Sequence, residues 1–432
     1  MPEHKKRIYI ETYGCQMNVA DTEVVQSLLE EDGHEMSDSM EDADVLLINT
    51  CSVRENAEQR VYGRLGEFKR LKLQKPGIVI GLLGCMAKRL RSKILGERAR
   101  GVGKAVDLII GPDEYRKTPA LLRDAWNGEK GIAVRLSRVE TYDDITPLRT
   151  DGVCAWISVM RGCDKFCSFC VVPLTRGRER SRSLSGVVDG PLDFADILES
   201  VAGVDRSIRV RFTTSHPCDM SLKLIRTIAG HSNICNYIHL PVQSGPDRIL
   251  RLMNRTYDES HYLRLVESIR DAIPDVCLST DFISGFPTET EEDHRRTLAL
   301  IGKVRYDGAF IFKYSPRELT PAFRMSDEIP DDVKARRIDE LIRLQSGISE
   351  EKNRRLLGER FAVLVEGPSK KSSSEWQGRT DGNKTVIFPG GRFARGEYVV
   401  VSITRSNAAT LFGEVVNPAQ ASPIDVPAEI AA

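Results

Sequence analysis

No charge of one sign predominates in this 432-residue sequence: Lys and Arg together number 62, and so do Asp and Glu. Net charge therefore says nothing for nucleic acid, and any such site has to come from a local concentration of Arg and Lys. Long hydrophobic runs are also missing. The longest, Ile78 to Ala87, is too short for a bilayer and is broken by glycine, so no membrane association is expected. The opening MPEHKKRIYIETYG has neither the apolar core nor the small-residue cleavage site of a secretory signal. A cytoplasmic location is the expectation, and in a reducing compartment the ten cysteines are poor disulfide formers and better candidates for metal or redox chemistry. Hydrophobic residues at 41% and charged residues at 29% do not suit a disordered chain, and the length calls for two or three domains.

What is present is alternation between short apolar strands and amphipathic helices. From Ile8 to Ile110 the strands IYIETYG, VLLINT, IVIGLLG and VDLII are separated by helices over Asp21 to Glu30, Asn56 to Leu73 and Met86 to Leu95. That order predicts an α/β domain with a parallel sheet over 5–126. Residues 127–150 lack periodicity and read as a linker. A second alternation fills 151–357, with strands AWISVM, IRVRFTTS, YIHLPVQ, VCLSTDFIS and GAFIFKYS and a long charged helix from Pro330 to Leu357. It predicts a (β/α) partial barrel. Between 358 and 418 the runs FAVLVEG, KTVIFPG, YVVVSIT and TLFGEVV predict a small antiparallel β-barrel, and 419–432 reads as a disordered tail.

The cysteines carry the chemistry. Cys163, Cys167 and Cys170 form a C-x3-C-x2-C loop just after AWISVM. Three thiolates on one loop can hold three irons of a [4Fe–4S] cube and leave the fourth open. An open iron can bind S-adenosylmethionine (SAM) and pass it an electron, which cleaves the sulfonium to a 5′-deoxyadenosyl radical. A structural zinc site would want a fourth ligand, and no other Cys or His lies close in sequence. Cys15, Cys51 and Cys85 each end a predicted parallel strand, where ligand sites of open α/β sheets form. They read as a second cluster site, the alternative being three core cysteines. Cys154, Cys235 and Cys277 read as core, and Cys218 as a core or active-site neighbour.

The motifs TYGCQMN, INTCSVRENAEQRVYGRLG, GLLGCMA, RGCDKFCSFCVVPLTRGRERSR, SHPCDM, IHLPVQSG, TDFISGFPTET and KYSPR resemble those of the methylthiotransferase family of radical SAM enzymes, and within it the tRNA-modifying branch called MiaB. The segment LVEGPSKK to GEYVVVSI resembles the small RNA-binding TRAM barrel. The resemblance implies an auxiliary [4Fe–4S] cluster on Cys15, Cys51 and Cys85, and a SAM-cleaving one on Cys163, Cys167 and Cys170. It implies methylthiolation at C2 of N6-dimethylallyladenosine, at position 37 beside a tRNA anticodon. Two SAM molecules, an external electron donor and a sulfur source are implied as well, and a monomer is expected. Sibling branches act on threonylcarbamoyl-adenosine in tRNA or on a ribosomal-protein aspartate. Those targets remain open at this stage, as does a non-catalytic iron–sulfur RNA-binding protein.

By the same resemblance Phe169, Ser215, Gln243, Asp281 and Tyr314 could face SAM or substrate, with satisfaction of local backbone as the alternative, while Gly285 and Pro287 shape a turn. Arg176, Arg178, Arg180 and Arg182 could meet the tRNA anticodon stem-loop or support the site internally. Lys370, Lys371, Arg379 and Lys384 could line a phosphate-binding face. One departure stands out. Only SLSGVVDGPLD separates Arg182 from Phe194, whereas a helix and a strand need on the order of 20 residues. Either one βα unit is missing from the barrel or residues are absent from this stretch.

Overall fold

The computed structural model describes residues 5–52, 55–94, 101–149, 152–182, 193–213 and 216–416. The chain divides into two compact units, Met1–Val187 with Arg317–Thr320, and Val188–Pro316 with Pro321–Ala432. No described helix is long and apolar enough to cross a membrane.

The first unit runs β1 (Arg7–Tyr13), α1 (Gln16–Glu31), β2 (Glu35–Met36), β3 (Val45–Thr50), α2 (Glu55–Gln74), β4 (Val79–Leu83), α3 (Gly84–Ile94), β5 (Leu108–Ile110), α4 (Thr118–Trp126) and β6 (Gly131–Ala133). Its six strands pair in parallel in the order β2-β1-β3-β4-β5-β6. Every residue of β3 is buried because both sheet faces are covered. Successive side chains serve opposite cores: Leu46 and Ile48 pack with Phe68 and Leu65 of α2, Val45 and Leu47 with Val25 and Leu29 of α1. After the sheet come β7 (Met160–Arg161), α5 (Val172–Arg176) and β8 (Arg180–Ser181), with β7 and β8 antiparallel.

The second unit begins with α6 (Phe194–Ala202) and α7 (Leu222–Gly230). It continues with β9 (Tyr237–His239), α8 (Asp247–Leu252), α9 (Glu259–Ala272), β10 (Cys277–Ser284), α10 (Glu291–Val304), β11 (Gly308–Lys313) and α11 (Asp331–Arg354). Strands β11-β10-β9 form the parallel sheet of a (β/α) partial barrel. Helix starts are set by side-chain caps, including a capping box in which Thr290 and Asp293 each bond the other's backbone N–H. The small barrel has strands β12 (Arg360–Ser369), β13 (Ser372–Arg379), β14 (Thr385–Pro389), β15 (Tyr398–Ser406) and β16 (Thr410–Val415) around Val363, Val386, Phe388, Val401 and Ile403. It is antiparallel except for one parallel pairing, β14 with β16, which closes it. Polar bonds join it to the rest of this unit. Arg209 donates to the carbonyls of Arg379 and Ala362, each at 2.7 Å, and the Asn236 N–H donates to Asp381 at 2.7 Å.

Several expectations need correction. Residues 127–150 are not a linker throughout. Gly131–Ala133 adds β6 to the sheet, and Tyr142 is buried in the core with its hydroxyl on the Pro112 carbonyl. The pattern was unreadable because β6 is three residues long. AWISVM contributes only Met160 to a strand, and its apolar Ile157 stays exposed. Among its described residues IRVRFTTS makes a single bridge, Val210 with Ile234, while Arg209 and Arg211 turn to the carbonyls of the small barrel. The cysteine loop 163–170 falls in the first compact unit, not with the 151–357 region. β13 (SSSEWQGR) was overlooked for want of β-branched residues. The short interval after Arg182, at 183–192, and the tail from 417 lie outside the described residues.

Phe282 is fully buried at the centre of β10, edge-to-face with Tyr306 at 5.9 Å. Phe282→Ala is expected to cost about 3–5 kcal/mol, read as a lowered denaturant midpoint for this unit. An unchanged midpoint would contradict the placement.

Candidate metal centres

Strand register decides where the first cysteine triplet goes. Tyr13 pairs with Thr50, and Thr50 bridges Gly84, so the C-terminal ends of β1, β3 and β4 are level neighbours. Cys15, Cys51 and Cys85 follow within two residues of those ends. Gly84 makes the approach feasible: its φ is +88°, and a Cβ there would lie 2.5 Å from Asn49 Oδ1 and 2.6 Å from the Thr50 carbonyl. Two buried amides pin the ends together. Asn18 donates to Asn49 Oδ1 at 3.1 Å and to the Thr50 carbonyl at 3.0 Å, and Asn49 donates back to the Asn18 carbonyl at 3.0 Å.

Cys15 is the N-cap of α1, where the helix dipole favours thiolate, and Cys85 lies in the first turn of α3. Cys15 is exposed, whereas Cys51 and Cys85 are buried. A hydrogen bond with Cys51 pulls the Cys15 thiol down to about 6. The charge of Arg176 and the backbone N–H groups of Asn18 and Met17 add to this, and burial opposes it. Arg176 Nε donates to Cys85 Sγ at 3.1 Å.

The second triplet lies on a loop opened by Gly162, at φ +79°, where a Cβ would sit 2.0 Å from the Arg178 carbonyl. The Lys165 N–H points at Cys163 Sγ (3.5 Å) and the Val172 N–H at Cys170 Sγ (3.4 Å). Cys170 closes a turn on the Cys167 carbonyl at 3.0 Å. Burial pushes the Cys163 thiol up. Backbone N–H groups aimed at sulfur are the contacts that tune iron–sulfur centres.

Among the described residues no three His, Cys, Asp or Glu side chains converge as ligands of a single metal ion. A cube places its own iron on each thiolate, so its ligands need not share one point. Both donor sets, three sulfurs each, fit such a group.

The arginine run is mostly internal. Arg176 is buried against Asp21 (2.7 Å), and Arg180 is buried against Asp113 (2.8 Å) and the Ser137 carbonyl (2.7 Å). Neither side chain is available to RNA. Arg178 is exposed and paired with Asp164, and half-buried Arg182 donates to the Tyr142 carbonyl at 3.0 Å. In the small barrel Lys384 is spent on Asp307 and Asn353, and Arg379 on Glu366 and Asn383, which leaves Lys370 and Lys371 exposed on the β12–β13 turn.

Sequence reasoning missed Asp21, Arg161, Asn18 and Asn49, all buried around the first triplet. Burial alone would raise the Asp21 carboxyl, but the charges of Arg161 and Arg176 overcome it and hold it below the usual carboxylate range. A buried Asp within a helix has no sequence signature, although Arg161 stood inside the RGC motif.

In the second unit, Gln243 follows β9 with φ +76° and pairs with β10, its N–H on the Asp281 carbonyl at 2.9 Å. Asp281 approaches His239 at 3.5 Å. Tyr314 follows β11, packs edge-to-face on Phe286 at 5.3 Å, and is pushed up to about 12 by burial and the charge of Asp327. Its hydroxyl is buried without a hydrogen-bond partner among the described residues, as are those of Ser244 and Ser284. Those two serines were not foreseen. The three hydroxyls lie at or beyond the C-terminal ends of three adjacent parallel strands, where α/β sheets place their ligands. Phe169 is half-buried in the cysteine loop, and Ser215 lies outside the described residues. Cys235 is buried, and burial pushes both it and Cys277 up to about 12. Exposed Cys218 contacts Thr256 Oγ1 at 3.2 Å.

Fold and donor sets define a radical SAM protein with an extra N-terminal α/β module and a C-terminal RNA-binding-type barrel. Three family models match in turn: "Uncharacterized protein family UPF0004" over 7–111, the Radical SAM superfamily over 183–301, and the TRAM domain over 354–416. Proteins named tRNA-2-methylthio-N(6)-dimethylallyladenosine synthase are similar over nearly the whole length. The one from Chloroherpeton thalassium is 47% identical, covering 95% of this chain and 96% of the relative. That from Amoebophilus asiaticus is 46% identical, covering 96% and 93%. The chain belongs to this family. Among solved structures, the radical SAM methyltransferase TsrM from Kitasatospora setae shares the fold, with a TM-score of 0.52 and 14% identity over 74% of this chain and 77% of that one.

Asp21→Ala would leave the buried guanidiniums of Arg161 and Arg176 without their carboxylate. A loss of about 3–5 kcal/mol is expected, measured as the unfolding midpoint of the metal-free protein. A loss below ~1 kcal/mol would show that the ion cluster is not buried as described.

Proposed function

We propose that this chain is a radical SAM enzyme that adds a methylthio group to N6-dimethylallyladenosine in tRNA, with Cys15, Cys51 and Cys85 holding one [4Fe–4S] cluster and Cys163, Cys167 and Cys170 another. The observation that carries the reading is the level register of β1, β3 and β4, which sets three cysteines from distant sequence beside one another. When bound, SAM and the clusters supply one-electron cleavage of a sulfonium and a sulfur for transfer. An aromatic C–H bond is inert to polar reagents, which is the chemical need for a radical.

The chain's own groups do the rest. The hydrogen bond with Cys51 and the charge of Arg176 lower the Cys15 thiol, which favours the thiolate that ligates iron. The Lys165 and Val172 N–H groups orient the sulfurs of Cys163 and Cys170. Gln243, Asp281 and Tyr314, joined by Ser244 and Ser284, offer polar groups to SAM from the strand ends of the second unit. Of the cations expected to meet RNA, Lys370 and Lys371 are exposed on the β12–β13 turn for the anticodon stem-loop, and Arg178 is exposed in the first unit while paired with Asp164. The working division is a cluster-bearing N-terminal domain, a radical SAM domain and a TRAM-like barrel. The protein acts as a cytoplasmic monomer that draws electrons and sulfur from external donors.

The test is nucleoside mass spectrometry of tRNA from a strain lacking this chain. The 2-methylthio form should vanish and N6-dimethylallyladenosine accumulate, and a Cys85→Ala copy should fail to restore it. An unchanged methylthio pattern would exclude the proposed reaction.

A further inference from the structure

Around Asp21 the first unit buries more positive than negative charge. Arg161, Arg176 and Arg180 are 2%, 3% and 7% exposed. The buried carboxylates they meet among the described residues are Asp21, which bonds both Arg161 (2.8 Å) and Arg176 (2.7 Å), and Asp113, which bonds Arg180. One guanidinium therefore has no carboxylate of its own, and a buried charge without a counter-charge costs several kcal/mol. The fork of Arg176 shows where the missing negative charge belongs. Nη2 is on Asp21, Nε is on Cys85 Sγ at 3.1 Å, and Nη1 is buried with no hydrogen-bond partner among the described residues. The Tyr115 hydroxyl, at 3.1 Å from the same Asp21 oxygen, fixes the carboxylate that aims the fork.

We propose that Arg176 is a positioning residue of the sulfur centre at Cys15, Cys51 and Cys85: it donates to the Cys85 thiolate, keeps one N–H for a further anionic sulfur there, and supplies the compensating charge. The inference rests on the assignment of those three thiols to a cluster. Its physical consequence is direct. A cation bonded to a ligand sulfur stabilises the more negative, reduced state of an iron–sulfur centre and raises its reduction potential. Arg176 thereby acts on electron distribution at this centre and not on RNA.

The experiment uses the full chain with Cys163, Cys167 and Cys170 changed to Ala, loaded anaerobically so that a single centre fills. Iron content and a redox titration followed by electron paramagnetic resonance are the readouts. The parent should bind ~4 irons. Arg176→Gln should keep them but lower the reduced-to-oxidised ratio at fixed poise about tenfold, a shift of about 59 mV for a one-electron couple. Arg176→Lys, which keeps the charge and loses the fork, should fall between. Iron retained at the parent's midpoint overturns the inference. So does loss of iron from both variants, which would mark Arg176 as an ion that only holds the fold. If Gln alone sheds iron, the lysine variant decides on the same criterion. A parent that takes up no iron sinks the thiol assignment itself, and the inference with it.

Discussion

The structure depends first on a register. Parallel strands fix which residues stand level, and a slip of one residue would turn every side chain of a strand to the opposite face. Here β3 and β4 are buried on both faces and β1 packs beside them with Ile8 buried, so the two apolar cores hold the register against such a slip. The strand ends are then stitched by Asn18 and Asn49, with Thr50 Oγ1 donating to the Leu83 carbonyl at 2.7 Å. Cysteines separated by more than thirty residues become neighbours without any local motif. The core of the first unit is thus the jig for its chemistry.

Charge is the second constraint. The segment after the cysteine loop carries arginines at every other position from 176 to 182, and the structure divides them by alternation. Arg176 and Arg180 turn inward to Asp21 and Asp113, whereas Arg178 turns out toward Asp164 and lies 5.2 Å from the Phe166 ring. One short run therefore ties the cysteine loop to the α/β sheet of the same unit and leaves a charged outer face. Buried ion pairs of this kind add little net stability over apolar packing, but losing one partner is costly. Of the two inward arginines, only Arg176 also reaches Cys85.

Much of this was legible in the sequence. Four strands of the first sheet (β1, β3, β4 and β5), the helices α9 and α10, the long α11 and four barrel strands follow from apolar periodicity, because each buries a regular face. What escaped did so for physical reasons. β6 and β7 are too short to show a period, and β13 is polar because all but one of its residues are half-buried or exposed. The strand-end positions of Cys15, Cys51 and Cys85 could be read because the apolar runs that precede them are regular. Arg176 and Arg180 could not be read correctly, since an Arg in a basic run looks the same whether it meets solvent or a buried carboxylate. Asp21, Ser244 and Ser284 emerge only when burial and the tally of unsatisfied polar atoms are known.

The central claim is that two separate sets of three thiolates each carry an iron cage. Iron anomalous scattering from anaerobically grown crystals of the loaded full chain tests it most directly. The account predicts two compact iron peaks, one bonded to Cys15, Cys51 and Cys85 and one to Cys163, Cys167 and Cys170. Iron at one set only, with the other three sulfurs packed against protein atoms, would contradict it.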